Sequence, residues 1–260
     1  MSDSKLCIFC SRNESSREHI VSKWILNDLG LYQIKTKLGF GNQIKTGEMD
    51  EIMEPQPLGS FVTDSVCRQC NNNWMSELER QVKPLLSPLM VDPWPPDDRA
   101  ILSGLFVYSP ILARWLTKTA CTFGEKMSVP VPDAIRSDLY NGRMHPEVVV
   151  DISCNEQCGT YIGMSRTWKG VVDGKPTTVQ IKGLSFRFVW QLRHLAMRVS
   201  FFPAFEKRMI EPRFPVAIYP QFKVPKDYTS YGVTKPRYRY DTLQQLEHET
   251  FFEQIPSRWY

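Results

Sequence analysis

Nothing in the first twenty residues resembles an apolar signal core. No part of the 260-residue chain holds the roughly eighteen consecutive apolar residues that a membrane helix needs. The stretch IKGLSFRFVWQLRH is broken by charge. A secreted or membrane-spanning protein is therefore not expected, and a cytoplasmic address is the default. No internal repeat and no low-complexity segment is present, so ordinary globular packing is anticipated, and 42% hydrophobic content is enough for a real core.

A strong charge of either sign is also missing. The formal net charge is +4, which neither demands nor excludes a polyanionic partner. Its distribution says more. Residues 1–92 carry 10 Lys and Arg against 12 Asp and Glu, whereas residues 93–260 carry 22 against 16. If nucleic acid binds, most of the general attraction comes from the second part of the chain.

The seven cysteines are an odd number, which does not suit a closed disulfide framework. Four of them form two tight pairs, Cys7-Ile8-Phe9-Cys10 and Cys67-Arg68-Gln69-Cys70. Each pair can curl a short loop around one ion, and two pairs complete a tetrahedron of thiolates, the usual arrangement of structural zinc. Cys121, Cys154 and Cys158 are left over and read as buried or idle thiols.

The segment PLMVDPWPPDD, from Pro88 to Asp98, holds four prolines and is expected to separate a module of residues 1–92 from a domain of residues 97–260. Before it, Trp74, Leu78, Val82 and Leu85 recur at helical spacing directly after the second cysteine pair. Ser22 to Leu29 reads as a short helix closed by Gly30. From Leu31 to Ser65, two alternating runs, YQIKTKLGF and the segment around GSFVTDSV, suit a hairpin or insert. After the boundary, a long helix capped by Asp97 and kinked or split at Pro110 is expected, then a second helix from Pro132. From Glu147 onward, EVVVDIS, GTYIGMS, TTVQIKGLSFRFVW and FPVAIYP read as an antiparallel sheet. DTLQQLEHETFFEQI reads as a last helix. The class expected is α+β: a small metal-stapled module, a helical segment and a domain built on an antiparallel sheet.

Between the cysteine pairs stands Arg17-Glu18-His19-Ile20, and after the second pair comes Asn71-Asn72-Asn73-Trp74. In this order of groups, over roughly residues 5–90, the chain resembles the HNH (ββα-metal) nuclease superfamily. It is similar in particular to uncharacterised bacterial and phage proteins with the same Cys-x-Phe-Cys, Glu-His, Val-Cys-x-x-Cys-Asn and Trp-Met-Ser-x-Leu-Glu runs. The resemblance implies a zinc-stapled ββα module in which Cys7, Cys10, Cys67 and Cys70 hold a structural zinc and His19 is the general base. Glu18 and Asn71 would hold a catalytic Mg²⁺ or Mn²⁺. The implied activity is hydrolysis of DNA phosphodiester bonds, in a setting such as bacterial defence, mobile elements or phage biology.

The residue types suit that chemistry. Histidine can take a proton from water near neutral pH, and oxygen ligands suit a hard cation that neutralises charge on the phosphate. Four thiolates leave zinc no open position, so zinc would pin the strand bearing His19 to the helix that starts at Asn71.

Asn71 stands where the final His of the name-giving triad would fall, and only Thr63 or Asp64 lie near the place of the middle Asn. Ser22 takes the place of a proline common after the Glu-His-Ile run. Glu18 and His19 are neighbours, which in an ideal strand face opposite sides, so a bulge or twist is needed for both to serve one site.

Each residue also has a plainer reading. His19 could be a satisfied structural group, Glu18 could pair with Arg17 or Lys23, and Asn71 could cap the helix. Asp64 and Glu79 are candidate supporting groups, and Trp74 reads as packing. In the second part, Lys235, Arg237 and Arg239 interleave with aromatics, as does Arg166-Thr167-Trp168-Lys169. Such mixtures can grip phosphates and stack on bases, or can be solvated faces. His145, His194 and His248 fall in no ligand pattern. The competing function is an inactive HNH-fold zinc module that binds nucleic acid or a protein partner, the latter through the C-terminal domain, where a second copy could also dock. A redox-active thiol protein fits less well, because the pairs lie beside Glu18, His19 and Asn71 rather than in a βαβ pattern.

Overall fold

The computed structural model describes residues 6–36, 38–41, 50–51, 56–90, 108–165, 168–172, 175–179, 186–201, 216–219 and 237–238. The chain is α+β and divides into two compact units, Met1–Thr36 with Pro55–Pro146, and Lys37–Glu54 with Glu147–Tyr260. None of the described helices is long and apolar enough to cross a membrane.

In the first unit, β1 (Ser16–His19) pairs antiparallel with β6 (Val62–Val66). The chain then turns at Cys67 into α2 (Arg68–Cys70), a π-helical turn (Asn71–Met75) and α3 (Ser76–Leu86). The topology is thus two antiparallel strands followed by a helix. The run GSFVTDSV therefore partners the strand of Glu18 and His19, not YQIKTKLGF. Between them lie α1 (Lys23–Asp28), β2 (Lys35–Thr36) and β5 (Gln56–Pro57), with β2 paired to β5.

The stop of α1 follows from its sequence. Gly30 takes a φ of +63°, its N–H bonds to the Asn27 carbonyl, and the Leu31 N–H reaches back to Leu26. This double closure needs a left-handed residue, which glycine adopts without a Cβ clash. Leu26 and Leu31 are both buried beneath it.

The second half of the first unit is α4 (Ser109–Lys126) and α5 (Asp133–Tyr140). Pro110 sits in the first turn of α4, where its missing N–H costs nothing, and so it starts this helix; residues 97–107, expected to precede it in a helix kinked or split at Pro110, lie outside the described residues. Asp97 lies outside the described residues. The two helices, expected on the far side of the proline-rich segment, belong to the first unit because α4 packs on α3 and β6. Phe61 meets Phe123 with ring centroids 5.6 Å apart. Trp115, Leu116, Ala120 and Phe123 are fully buried. A helix covered on nearly every side must satisfy its polar groups internally. Thr117 and Thr119 donate to the carbonyls of Ala113 and Trp115, and Thr122 to Lys118 and Thr119.

On α3 the buried positions are Leu78, Val82 and Leu86. Leu86, not Leu85, closes the apolar face, while Trp74 is half-buried with its ring edge-on to Phe9 at 5.1 Å.

The second unit is organised by β7 (Val148–Ser165), which pairs along its length with β10 (Phe186–Phe201) in antiparallel register. Its other edge is shared by β11 (Val216–Tyr219), antiparallel, and by β12 (Arg237–Tyr238) and β3 (Leu38–Gly41), both parallel. β4 (Asp50–Glu51) extends β3, and β8 (Trp168–Val172) pairs with β9 (Lys175–Val179). The sheet is thus mainly antiparallel, as expected, with two parallel pairings that the expectation lacked. Residues 37–54, assigned by sequence to the first module, belong to the second unit because β3 hydrogen-bonds to β7. The expected last helix lies outside the described residues.

Candidate metal centre and the His19 strand

The two Cys-x-x-Cys loops meet although 57 residues separate Cys10 from Cys67. The first closes on itself: the Ser11 N–H bonds to the Cys7 carbonyl and the Cys7 N–H to Arg12, both at 2.9 Å. This turn places Ser11 at a φ of +58°, a conformation that costs a non-glycine residue energy and persists where its surroundings impose it. The second loop winds directly into helix, with the Cys67 sulfur accepting from the Cys70 N–H at 3.4 Å. The Ile8 N–H bonds to the Ser65 carbonyl and ties the first loop to β6.

The four sulfurs all lie within 4.8 Å of one another, and Cys10 Sγ is 3.5 Å from Cys67 Sγ. A tetrahedron with metal–sulfur bonds of about 2.3 Å has sulfurs roughly 3.8 Å apart, so the cluster could hold a metal ion and is compatible with zinc. Among the described residues this is the group of titratable side chains with metal-ligand spacing. Burial raises the Cys7 thiol's pKa, but hydrogen bonds from the main chain at Cys67, Phe9 and Cys10 outweigh it and leave the net shift downward. Burial dominates at Cys70, which is pushed up. Cys121 is buried apart from the cluster, its thiol pushed up to about 12 by burial, as an inert core cysteine should be. The side chains of Cys154 and Cys158 lie outside the described residues.

The strand pair presents Glu18 and His19 differently. The register slips between Ser16, opposite Val66, and Glu18, opposite Thr63. This bulge falls before the Glu18-His19 pair and leaves their alternation intact. Glu18 is buried and its Oε1 lies 3.4 Å from the Nζ of Lys118 on α4. The same ammonium is 3.0 Å from Glu79 Oε1, which also accepts the Ser22 hydroxyl at 2.7 Å. Glu18 thus pairs with neither Arg17 nor Lys23 but with a lysine 100 residues away. Burial raises the Glu18 pKa against the pull of Lys118. Burial lowers that of Lys118, but Glu79 and Glu18 together outweigh it and hold the ammonium charged.

His19 is half-buried, and its Nε2 is 3.4 Å from the Tyr32 hydroxyl. Burial lowers its pKa below the ordinary value, and the cations of Lys23 and Arg17 lower it further. Glu79 and a hydrogen bond to the Gly59 main chain pull the other way without cancelling the shift. The ring is therefore neutral at pH 7, which leaves one nitrogen able to accept a proton. Gly59 also donates its N–H to the Tyr32 carbonyl, and a Cβ at this glycine would run into the Tyr32 ring.

Asn71 lies within the continuous helical run, whose N-cap is Cys67, so it does not cap the helix. Its Nδ2 donates to Ser16 Oγ at 3.2 Å, and Ser16 Oγ in turn donates to the Val66 carbonyl. Asn71 opens the π-helical turn, a distortion frequent at functional sites. Thr63 is buried, its hydroxyl accepting from the Ser65 N–H, and Asp64 is exposed. Thr63 stands opposite Glu18 in the β1–β6 register. Glu79 joins Glu18 through Lys118, so of the candidate supporting groups it is the one the fold brings in.

Lys118 was not singled out by sequence, although it carried a signal: a single lysine inside ILARWLTKTACTF, where a buried charge needs a carboxylate partner. Ser22, noted only as a replacement for proline, is the third contact of that cluster. Arg237 lies on β12, opposite Cys154, while Lys235, Arg239, Arg166, Thr167 and His248 fall outside the described residues. No protein-family model matches the chain, and neither a curated protein nor a solved structure does.

Proposed function

We propose that this protein is an HNH-type endonuclease that hydrolyses phosphodiester bonds in DNA, with His19 as general base. The observation that carries the reading is the state of His19. It ends β1, half-buried, with Nε2 3.4 Å from the Tyr32 hydroxyl, and burial together with the cations Lys23 and Arg17 lowers its pKa, which favours the neutral imidazole. A neutral imidazole can accept the proton of an attacking water, and neighbouring cations favour an approaching phosphodiester.

Support for the scaffold comes from the strand–strand–helix order and the cysteine cluster at its base. Zinc held by Cys7, Cys10, Cys67 and Cys70 would clamp the first loop to the start of α2, and thereby set β1 and β6 against the helix. Of the two residues that the resemblance assigns to a catalytic Mg²⁺ or Mn²⁺, Asn71 fits, since its amide nitrogen is used on Ser16 and its oxygen can ligate. Glu18, engaged by Lys118, does not fit. A divalent ion would supply charge neutralisation on the phosphate. The second unit carries 18 Lys and Arg against 15 Asp and Glu, and the first 14 against 13, so attraction for the polyanion would be shared between them.

The test is plasmid nicking in Mg²⁺ and in Mn²⁺ by the wild-type protein beside His19→Ala. The expected result is nicking that falls by 100-fold or more in the variant, in keeping with the usual contribution of a general base of about 10²–10⁴. Equal nicking by both proteins, or none by either, would sink the reading. The engagement of Glu18 by Lys118 favours one alternative, an inactive zinc module that binds nucleic acid or a protein. That alternative predicts DNA retention in a mobility assay with no cleavage under any ion.

A further inference from the structure

Lys118 has no exposed side-chain surface, and the side chains of Glu18 and Glu79 are 10% and 22% exposed. An unpaired charge in such a place is expensive, so its partners define its role. The ammonium has two carboxylate oxygens within 3.4 Å, from two elements far apart in sequence, β1 and α3. Glu79 Oε1 takes the Ser22 hydroxyl as well, so this oxygen has two donors.

A divalent ion at the same carboxylates would demand oxygen contacts of about 2.0–2.1 Å and room for several retained waters. It would also meet the ammonium's positive charge at close range in a poorly solvated setting. The ammonium cannot move aside cheaply, because its stem rises from a stretch of α4, Trp115 to Gly124, in which every residue is buried.

We propose that Lys118 is the resident cation of the Glu18–Glu79 pair and closes it to divalent ions, so that Glu18 serves the His19 strand as a positioning residue and not as a metal ligand. For the consequence in hydrolysis, this rests on the reading of His19 as general base; the closure of the pair to divalent ions does not. Glu18 anchors β1 from behind through Lys118, which fixes the face on which the next residue, His19, is presented. A divalent ion that assists the reaction would have to bind through other groups, Asn71 among them.

The experiment is a Mn²⁺ titration of the zinc-loaded full chain, following free Mn²⁺ by electron paramagnetic resonance, with melting curves recorded in parallel. Glu18→Gln should leave Mn²⁺ uptake unchanged within twofold. Lys118→Met, which frees two carboxylates, should gain one bound Mn²⁺ and a melting temperature that rises with Mn²⁺. Adding Glu79→Gln to it should abolish both. A tenfold or greater weakening of Mn²⁺ binding in Glu18→Gln would overturn the proposal, as would a folded Lys118→Met that gains no ion. Should Lys118→Met fail to fold, the Glu18→Gln comparison decides alone. Absence of nicking by the wild type would defeat the nuclease reading while leaving the Mn²⁺ result to stand.

Discussion

Glu18 and His19 are consecutive in β1 but face opposite environments: Glu18 is 8% exposed and bound to Lys118, whereas His19 is half-buried with Nε2 3.4 Å from the Tyr32 hydroxyl. Strand alternation produces this division, because neighbouring side chains point to opposite faces. One short strand therefore carries an inward anchor and an outward imidazole. Both depend on how firmly β1 is held by β6, by the cysteine loops and by α4.

The cysteine cluster should control the folding of the first unit. Metal affinity of a structural site is folding free energy. Cys67→Ser removes a ligand that also accepts the Cys70 N–H, so it should reduce bound zinc from about one per chain to near zero. It should also abolish cooperative unfolding of this unit. Elemental analysis beside a thermal melt checks both, and full zinc retention with an unchanged melt would contradict the assignment of these sulfurs.

Much of this region is legible in the sequence because its signals are local. The paired cysteines, the Gly30 stop and the helical spacing after Cys70 each need only a few neighbouring residues. The partner of Glu18 is not local. Lys118 is 100 residues away on a helix expected in another domain, and a lysine in an apolar run announces only that some carboxylate must meet it. The insert shows the same limit. The residues from Leu38 to Gly41 read as part of a hairpin or insert, and their backbone pairs with β7; alternation alone cannot say which strand a strand will join. Asn71 reads equally well as cap or ligand. The choice depends on where the helix begins, and the Cys67 sulfur takes the cap.

Removing Lys118 should destabilise the protein strongly. Lys118→Ala leaves the buried Glu18 without its ammonium, and breaking a buried ion pair costs about 3–5 kcal/mol. Ser22→Ala removes a hydrogen bond to a charged acceptor and should cost about 1.5–3 kcal/mol. Because both residues act on Glu79 Oε1, their effects should not add. Urea denaturation of the two single variants and the double variant measures the coupling. Strict additivity would mean that the three side chains do not form one network.

Gly59→Ala should disturb the site without replacing a titrating group. The added Cβ would meet the Tyr32 ring and lie 2.8 Å from the Tyr32 carbonyl oxygen. Either the ring swings out or the turn Leu58–Ser60 moves, and both carry His19 with them, since Tyr32 and the Gly59 main chain are its contacts. Nicking is expected to fall by at least tenfold, with a stability loss of about 1–3 kcal/mol from overpacking. A variant that keeps wild-type activity would show that His19 does not depend on this turn.

The pH dependence of nicking follows from the direction of the His19 shift. Burial, then Lys23 and Arg17, lower its pKa from 6.5, so the neutral form that accepts a proton persists to a lower pH than in a free imidazole. Activity should be on its plateau at pH 7 and fall on an acid limb with its midpoint below 6.5, losing about tenfold per pH unit beyond it. Stability linked to this group runs in the same sense. Above the unfolded value neither state is protonated and folding carries no penalty. As pH falls from 6.5 through the folded value, the unfolded chain takes a proton that the folded chain refuses, and stability declines. Replacing Lys23 and Arg17 by Gln removes two of the causes and should move the acid limb upward, toward 6.5. High salt, which screens the same cations, should move it in the same direction. An acid limb above 6.5, or one that stays fixed in the Lys23→Gln/Arg17→Gln variant, would show that the group titrating in the reaction is not His19.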